Sequence, residues 1–215
     1  MAKIPLILRL KKQIHKDVAE AQDLIVKALY DIFPDAVLHG GTAIWRCYNG
    51  NRFSEDVDAY ILKEQDELKE FFEELKRIGF AVHKKKIGER SIFSSLELNR
   101  TIVRFEALFK DAGERSSLGE YETTDGNFIT VNTLTPEYLI KEKVEAYLRR
   151  LKVRDFYDIF FLIRYAKAEE VSNHLKKLAE NFKKPVDEKE LRVLITEGIA
   201  PSTEKMLDYI KRACK

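Results

Sequence analysis

Residues 12–33 carry Ile14, Val18, Ala21, Ile25, Ala28, Leu29 and Ile32 at helical spacing, which predicts one amphipathic, core-packing helix closed by Pro34. The short run Ala36-Val37-Leu38-His39 reads as a strand, Gly40-Gly41 punctuates it, and Thr42 stands where it can N-cap the apolar run Ala43-Ile44-Trp45. Trp45 is expected in the core. After a polar stretch from Tyr48 to Glu55, the alternation Asp56-Val57-Asp58-Ala59-Tyr60-Ile61 predicts a strand with both aspartates on one face. Residues 64–77 then read as a helix stopped by Gly79.

Three β-type stretches follow at 80–87, 91–98 and 101–109, with turn signals at Gly88-Glu89 and Asn99-Arg100, and predict antiparallel hairpins. The polar segment 110–126 reads as a loop leading to one more strand at 127–132. From there the period is helical: 136–150, 154–166, 171–181 and two shorter segments. The expected fold is α+β, a small mixed sheet flanked by helices in residues 1–132, with a helical C-terminal subdomain in 133–215.

Composition narrows the function classes. A chain of 215 residues, 45% hydrophobic and 34% charged, can bury a core and is neither a disordered tail nor a large multidomain assembly. Its 38 basic and 36 acidic side chains leave a net charge of only +2, so any surface for a polyanion must be local. Candidates are Lys84-Lys85-Lys86 and the segment from Lys141 to Arg154, with six basic and two acidic residues; such runs are more often solvated faces. Cys47 and Cys214 lie too far apart in sequence for a disulfide framework or a zinc cluster, which suits a reducing cytoplasm. No apolar run approaches the ~18 residues of a membrane span, so no membrane association is expected. His15, His39, His83 and His174 lack metal-ligand spacing, although His39 adjoins the glycine turn.

The densest chemistry lies between His39 and Asp58. Two glycines permit a sharp turn, and the N–H groups opening the next helix form a site for phosphate oxygens, to which Thr42 can add a hydroxyl. Asp56 and Asp58, spaced i, i+2 on a strand, project together and suit Mg²⁺ or Mn²⁺ beside those phosphates. The alternative for the glycines is an ordinary turn, and for the aspartates a solvated strand edge.

Gly40-Gly41-Thr42-Ala43, Arg52-Phe53-Ser54-Glu55-Asp56-Val57-Asp58, Leu139 to Ala146 and Arg154-Asp155-Phe156-Tyr157-Asp158 together resemble the AbiEii-type toxins of the DNA polymerase β-type nucleotidyltransferase superfamily. The resemblance spans about residues 36–165 and implies a nucleotidyltransferase-type sheet. It also implies Mg²⁺- or Mn²⁺-dependent transfer of a nucleoside monophosphate from a nucleoside triphosphate to an acceptor, with RNA such as a tRNA end as the candidate. A cognate antitoxin protein is the implied partner. By motif position Asp56, Asp58, Lys143 and Asp158 are the catalytic candidates. Gly40, Gly41, Thr42, Ser54, Lys143 and Asp155 are assigned to the nucleotide, and Asp56, Asp58 and Glu106 to metal, with Glu97 a rival for the third carboxylate.

Bland readings stand beside these. Arg154 and Asp158, four apart on one helix, can form a surface ion pair, Asp155 can complement the helix dipole, and Lys143 can snorkel to solvent. Two other functions fit the residues: a catalytically silent nucleotide- or RNA-binding module, and a protein AMP- or UMP-transferase.

Overall fold

The computed structural model describes residues 4–214, and among these the chain forms two compact units. The first runs to Asn49 and from Phe53 to Leu134; the second takes Gly50–Arg52 together with the chain from Thr135 onward.

The first unit opens with a single turn, α1 (Leu6–Arg9), followed by α2 (Gln13–Ile32), β1 (Val37–His39), α3 (Gly40–Cys47), β2 (Asp56–Ile61) and α4 (Gln65–Arg77). Next come β3 (Ala81–Ile87), β4 (Ser91–Leu98), β5 (Thr101–Phe109), β6 (Ser116–Glu122) and β7 (Phe128–Leu134). The strands form one seven-stranded sheet in the order β3-β4-β5-β2-β1-β7-β6. It is mixed: β2 runs parallel to β5 and β1 parallel to β7, and the other pairings are antiparallel.

Alternation explains which side is covered. Val57, Ala59 and Ile61 of β2, Val103, Phe105 and Ala107 of β5, and Ile92 and Leu96 of β4 are buried in one core with the apolar stripes of α2 and α4. In α4 that stripe is Leu68, Phe71, Phe72 and Leu75, and Phe71 meets Phe105 with ring centroids 4.9 Å apart. Gly79, at φ +106°, supplies the left-handed residue that ends α4, and Phe80 N–H then closes on Leu75 O at 2.9 Å.

Three expectations need correcting. Residues 116–122 form an edge strand, β6, rather than a loop; its two faces are mostly polar, so pairing with β7 holds it, which a hydrophobic pattern does not reveal. Thr42 does not cap α3: the helix begins two residues earlier, and Thr42 is fully buried in its first turn. Ile14, read as a core position, is 54% exposed at the start of α2.

The second unit contains α5 (Pro136–Arg150), α6 (Val153–Leu162), α7 (Ala168–Glu180), α8 (Leu191–Leu194) and α9 (Thr203–Ala213). Pro136 sits at the first turn of α5, where its missing N–H costs nothing, and Leu151, at φ 51°, closes the helix. Tyr147 stacks on Phe156 and Phe182 within this unit, and the Tyr147 hydroxyl donates to Lys183 O. No helix among the described residues is long and apolar enough to cross a membrane.

Candidate active site

The side of the first unit's sheet facing away from α2 and α4 carries the predicted carboxylates. Register places Asp58 opposite Glu106 and Asp56 opposite Arg104 on the neighbouring strand β5, so all four side chains project from one face. Glu97, the rival third carboxylate, is excluded from this group by its position. It pairs with Ile102, four residues along β5 from Glu106, and its carboxylate contacts His83.

The glycine turn meets this acidic group. Gly40 adopts φ +71°, and a Cβ placed there would lie 2.1 Å from Asp58 Oδ2, so only glycine allows the strand-to-helix turn and the carboxylate to share that space. Asp58 therefore lies against the start of α3, where the first-turn N–H groups and the helix dipole favour negative charge. His39 pairs with Asp58 across β1 and β2, and its ring stacks on Tyr60 at 4.1 Å.

Thr42 and Ser54 serve the framework around the turn. The Thr42 hydroxyl donates to the backbone carbonyl of Asp56, which ties the first turn of α3 to the start of β2. Buried Gln22 of α2 donates to Ser54 O at 2.9 Å and to Thr42 Oγ1 at 3.4 Å, fixing the approach to the aspartate strand. The phosphate-donor role foreseen for Thr42 meets a hydroxyl already engaged within the protein.

Charge is concentrated on this face. Burial first, then the charges of Asp58 and Asp56, push the Glu106 carboxyl above its ordinary pKa, while Arg104 and His39 pull it down. Arg104 holds Asp56 with a two-point fork, Nε to Oδ1 at 2.7 Å and Nη2 to Oδ2 at 2.8 Å. The Val103 to Ala107 alternation already put Arg104 on the face of Glu106, but its partner depends on the pairing of β2 with β5, which is nonlocal. Three carboxylates on one face are hard oxygen donors suited to Mg²⁺ or Mn²⁺. Among the described residues, however, no three His, Cys, Asp or Glu side chains are gathered into a finished ion site.

The predicted residues of the helical unit form a second charged group. Asp158 accepts a fork from Arg52, Nε to Oδ1 at 2.8 Å and Nη2 to Oδ2 at 2.9 Å, and an ion pair from Lys143 Nζ at 2.8 Å. Asp155 accepts a fork from Arg150 at 2.6 and 2.7 Å and lies 3.6 Å from Lys143. Both aspartates are buried, as are Lys143 and Arg52. The surface pair of Asp158 with Arg154 is therefore replaced by a buried cluster, and Lys143 does not snorkel out. Burial raises the Asp158 pKa more than any single partner lowers it, but Arg52 and Lys143 together hold it below its ordinary value. Arg52 has no role in the sequence reading beyond its place in the motif; its partner lies 106 residues away along the chain.

The seven-stranded mixed sheet, with a glycine turn against its acidic strand, has the fold of solved nucleotidyltransferases. The family described as nucleotidyl transferase AbiEii toxin, type IV toxin–antitoxin system, matches residues 25–212, and the chain belongs to it. Among solved structures it is similar to JHP933 from Helicobacter pylori, at 21% identity and TM-score 0.68, covering 94% of this chain and 91% of that one. It is also similar to MenT4, a nucleotidyltransferase toxin from Mycobacterium tuberculosis, at 16% identity and TM-score 0.66, covering 94% and 82%. The antibiotic-resistance factor ANT(2″)-Ia matches at 14% identity and TM-score 0.50, covering 77% and 92%. At these identities the structural matches speak to the fold. No curated protein sequence matches significantly.

Proposed function

We propose that this chain transfers a nucleoside monophosphate from a nucleoside triphosphate to an RNA hydroxyl, with a tRNA end as the candidate acceptor, and needs Mg²⁺ or Mn²⁺ to do so. The observation that carries this reading is the contact of Asp58 with the glycine turn at the start of α3, in register with Glu106. Asp56, Asp58 and Glu106 would hold the divalent ion, and the first-turn N–H groups of α3 would receive phosphate oxygens. When bound, the ion supplies charge neutralisation at the phosphates and a more acidic acceptor hydroxyl. The protein's own work is placement: Gly40 lets the turn close on Asp58, and Thr42 and Gln22 fix the strand. For Lys143, Asp155 and Asp158 the nucleotide or catalytic role rests on the family resemblance, and within their own unit they form a buried ion cluster.

RNA is favoured as acceptor by the same sheet face. Lys84 and Lys86 of edge strand β3 pair with Ser95 and Phe93, which in turn pair with Arg104 and Glu106, so both lysines share the carboxylate face. Lys85 points to the other side, over the Phe72 ring at 4.6 Å. Two lysines and the Phe93 ring on the face of an acidic centre suit a polyanion whose reacting end reaches that centre.

The test is incubation of the full chain with radiolabelled nucleoside triphosphates, Mg²⁺, and a mixture of RNA and protein acceptors. Label removed by ribonuclease and not by protease is expected. Label removed by protease alone would replace RNA with a protein acceptor, and absence of label with measurable nucleotide binding would favour a silent binding module. In the same assay Gly40→Ala is expected to lose about 100-fold in rate, because displacing Asp58 by an ångström misplaces the reacting groups. A rate near that of the wild type would show that the turn can open without consequence.

A further inference from the structure

On the carboxylate face, Asp56 and Glu106 both have the guanidinium of Arg104 as a neighbour. Arg104 sits opposite Asp56 in register and engages both of its oxygens, at 2.7 and 2.8 Å. Of the three carboxylates on this face, Asp56 is the one paired with an internal cation, while Asp58 lies against the α3 turn. The pair is also breakable. The Arg104 side chain is 45% exposed and that of Asp56 is 20% exposed, so the guanidinium can move into water without leaving a bare charge in the core.

Resting on the metal-dependent reading above, we propose that Arg104 is a positioning residue that holds Asp56 while no divalent ion is bound, so that an arriving ion must displace it. Arg104 thereby weakens the protein's affinity for the ion. Three further features agree. Arg104 donates both bonds of the fork, and a guanidinium stays charged at any working pH. Glu106 and Glu55 are also charge neighbours of Arg104, so a guanidinium leaving Asp56 remains in an acidic field. A fork of this kind is specific to arginine, because lysine offers a point charge and no planar pair of donors.

The experiment is a Mn²⁺ titration of the full chain without nucleotide, read by loss of the free-ion electron paramagnetic resonance signal. It compares wild type, Arg104→Gln, Arg104→Lys and Asp58→Asn. Arg104→Gln is expected to bind Mn²⁺ about three- to tenfold more tightly than wild type. Arg104→Lys should fall between the two, and Asp58→Asn should lose the site. If Arg104→Gln binds no more tightly than wild type while Asp58→Asn still loses the site, the role of Arg104 is overturned and the metal site stands. If Arg104→Lys matches wild type, a general positive charge suffices and the two-point hold is wrong. If neither wild type nor Arg104→Gln binds Mn²⁺ saturably, or Asp58→Asn binds as wild type does, the metal site itself fails and takes the proposal with it.

Discussion

Asp58→Asn is expected to lower nucleotidyl transfer by about 1,000-fold while its thermal midpoint holds or rises. Two features of Asp58 combine in that expectation. Asp58 occupies the space that a Cβ on Gly40 would need, so it is the carboxylate held against the α3 turn, and amide replacement keeps its shape while removing its charge. Burial and, after it, the charge of Asp58 raise the Glu106 pKa above its ordinary value, so the two carboxylates repel one another in the folded protein. Neutralising one relieves that repulsion. Activity would fall through loss of an ion ligand, with no loss of fold. Rate assays alongside thermal unfolding separate the two, and a variant that melts early would instead give Asp58 a structural role.

The second large effect belongs to the helical unit. Asp158→Ala is expected to destabilise that unit by about 3–5 kcal/mol, because it strands Arg52 and Lys143, both buried, without their shared counterion. Asp158→Asn should cost less, since an amide still accepts a hydrogen bond. The effect carries a pH signature. Asp158 has a lower pKa in the folded chain than its ordinary value, so the stability it confers is complete above the ordinary carboxylate range and is lost as pH falls through the folded value. Urea unfolding followed at neutral pH and at about pH 3 should therefore show the gap between wild type and Asp158→Asn shrinking with acid. A gap of constant size would mean that the Asp158 charge contributes nothing.

Much of this was legible along the chain because the decisive patterns are local. The spacing of Asp56 and Asp58 on a strand, the glycine pair before α3, and the three strands from Ala81 to Phe109 are all short-range features, and each lies where its pattern put it. The edge strand β6 escaped because Ser116 to Glu122 offers little apolar alternation, and it is held by backbone pairing with β7. Thr42 illustrates a different limit. Its residue type suits both a cap and a phosphate donor, but the carbonyl it bonds, Asp56 O, becomes a neighbour only when β2 folds beside the start of α3.

Charged partners were the least legible. Asp158 reads as half of an i, i+4 pair with Arg154, a local rule, whereas the partners it takes, Arg52 and Lys143, are brought to it by the packing of the helical unit. Arg104 stood in view beside Glu106 in an alternating strand, yet its grip on Asp56 follows from the register of two strands separated by a helix and a hairpin. Side-chain chemistry fixes what a residue can do, and nonlocal pairing decides with whom.

The most direct test compares the fate of two labels on one nucleoside triphosphate. With wild-type chain, Mg²⁺ and RNA, label at the α-phosphate should enter the RNA with one pyrophosphate released per transfer, and label at the γ-phosphate should appear only in pyrophosphate. Transfer of the γ-label to the acceptor, or hydrolysis with neither label transferred, would contradict nucleotidyl transfer by this site.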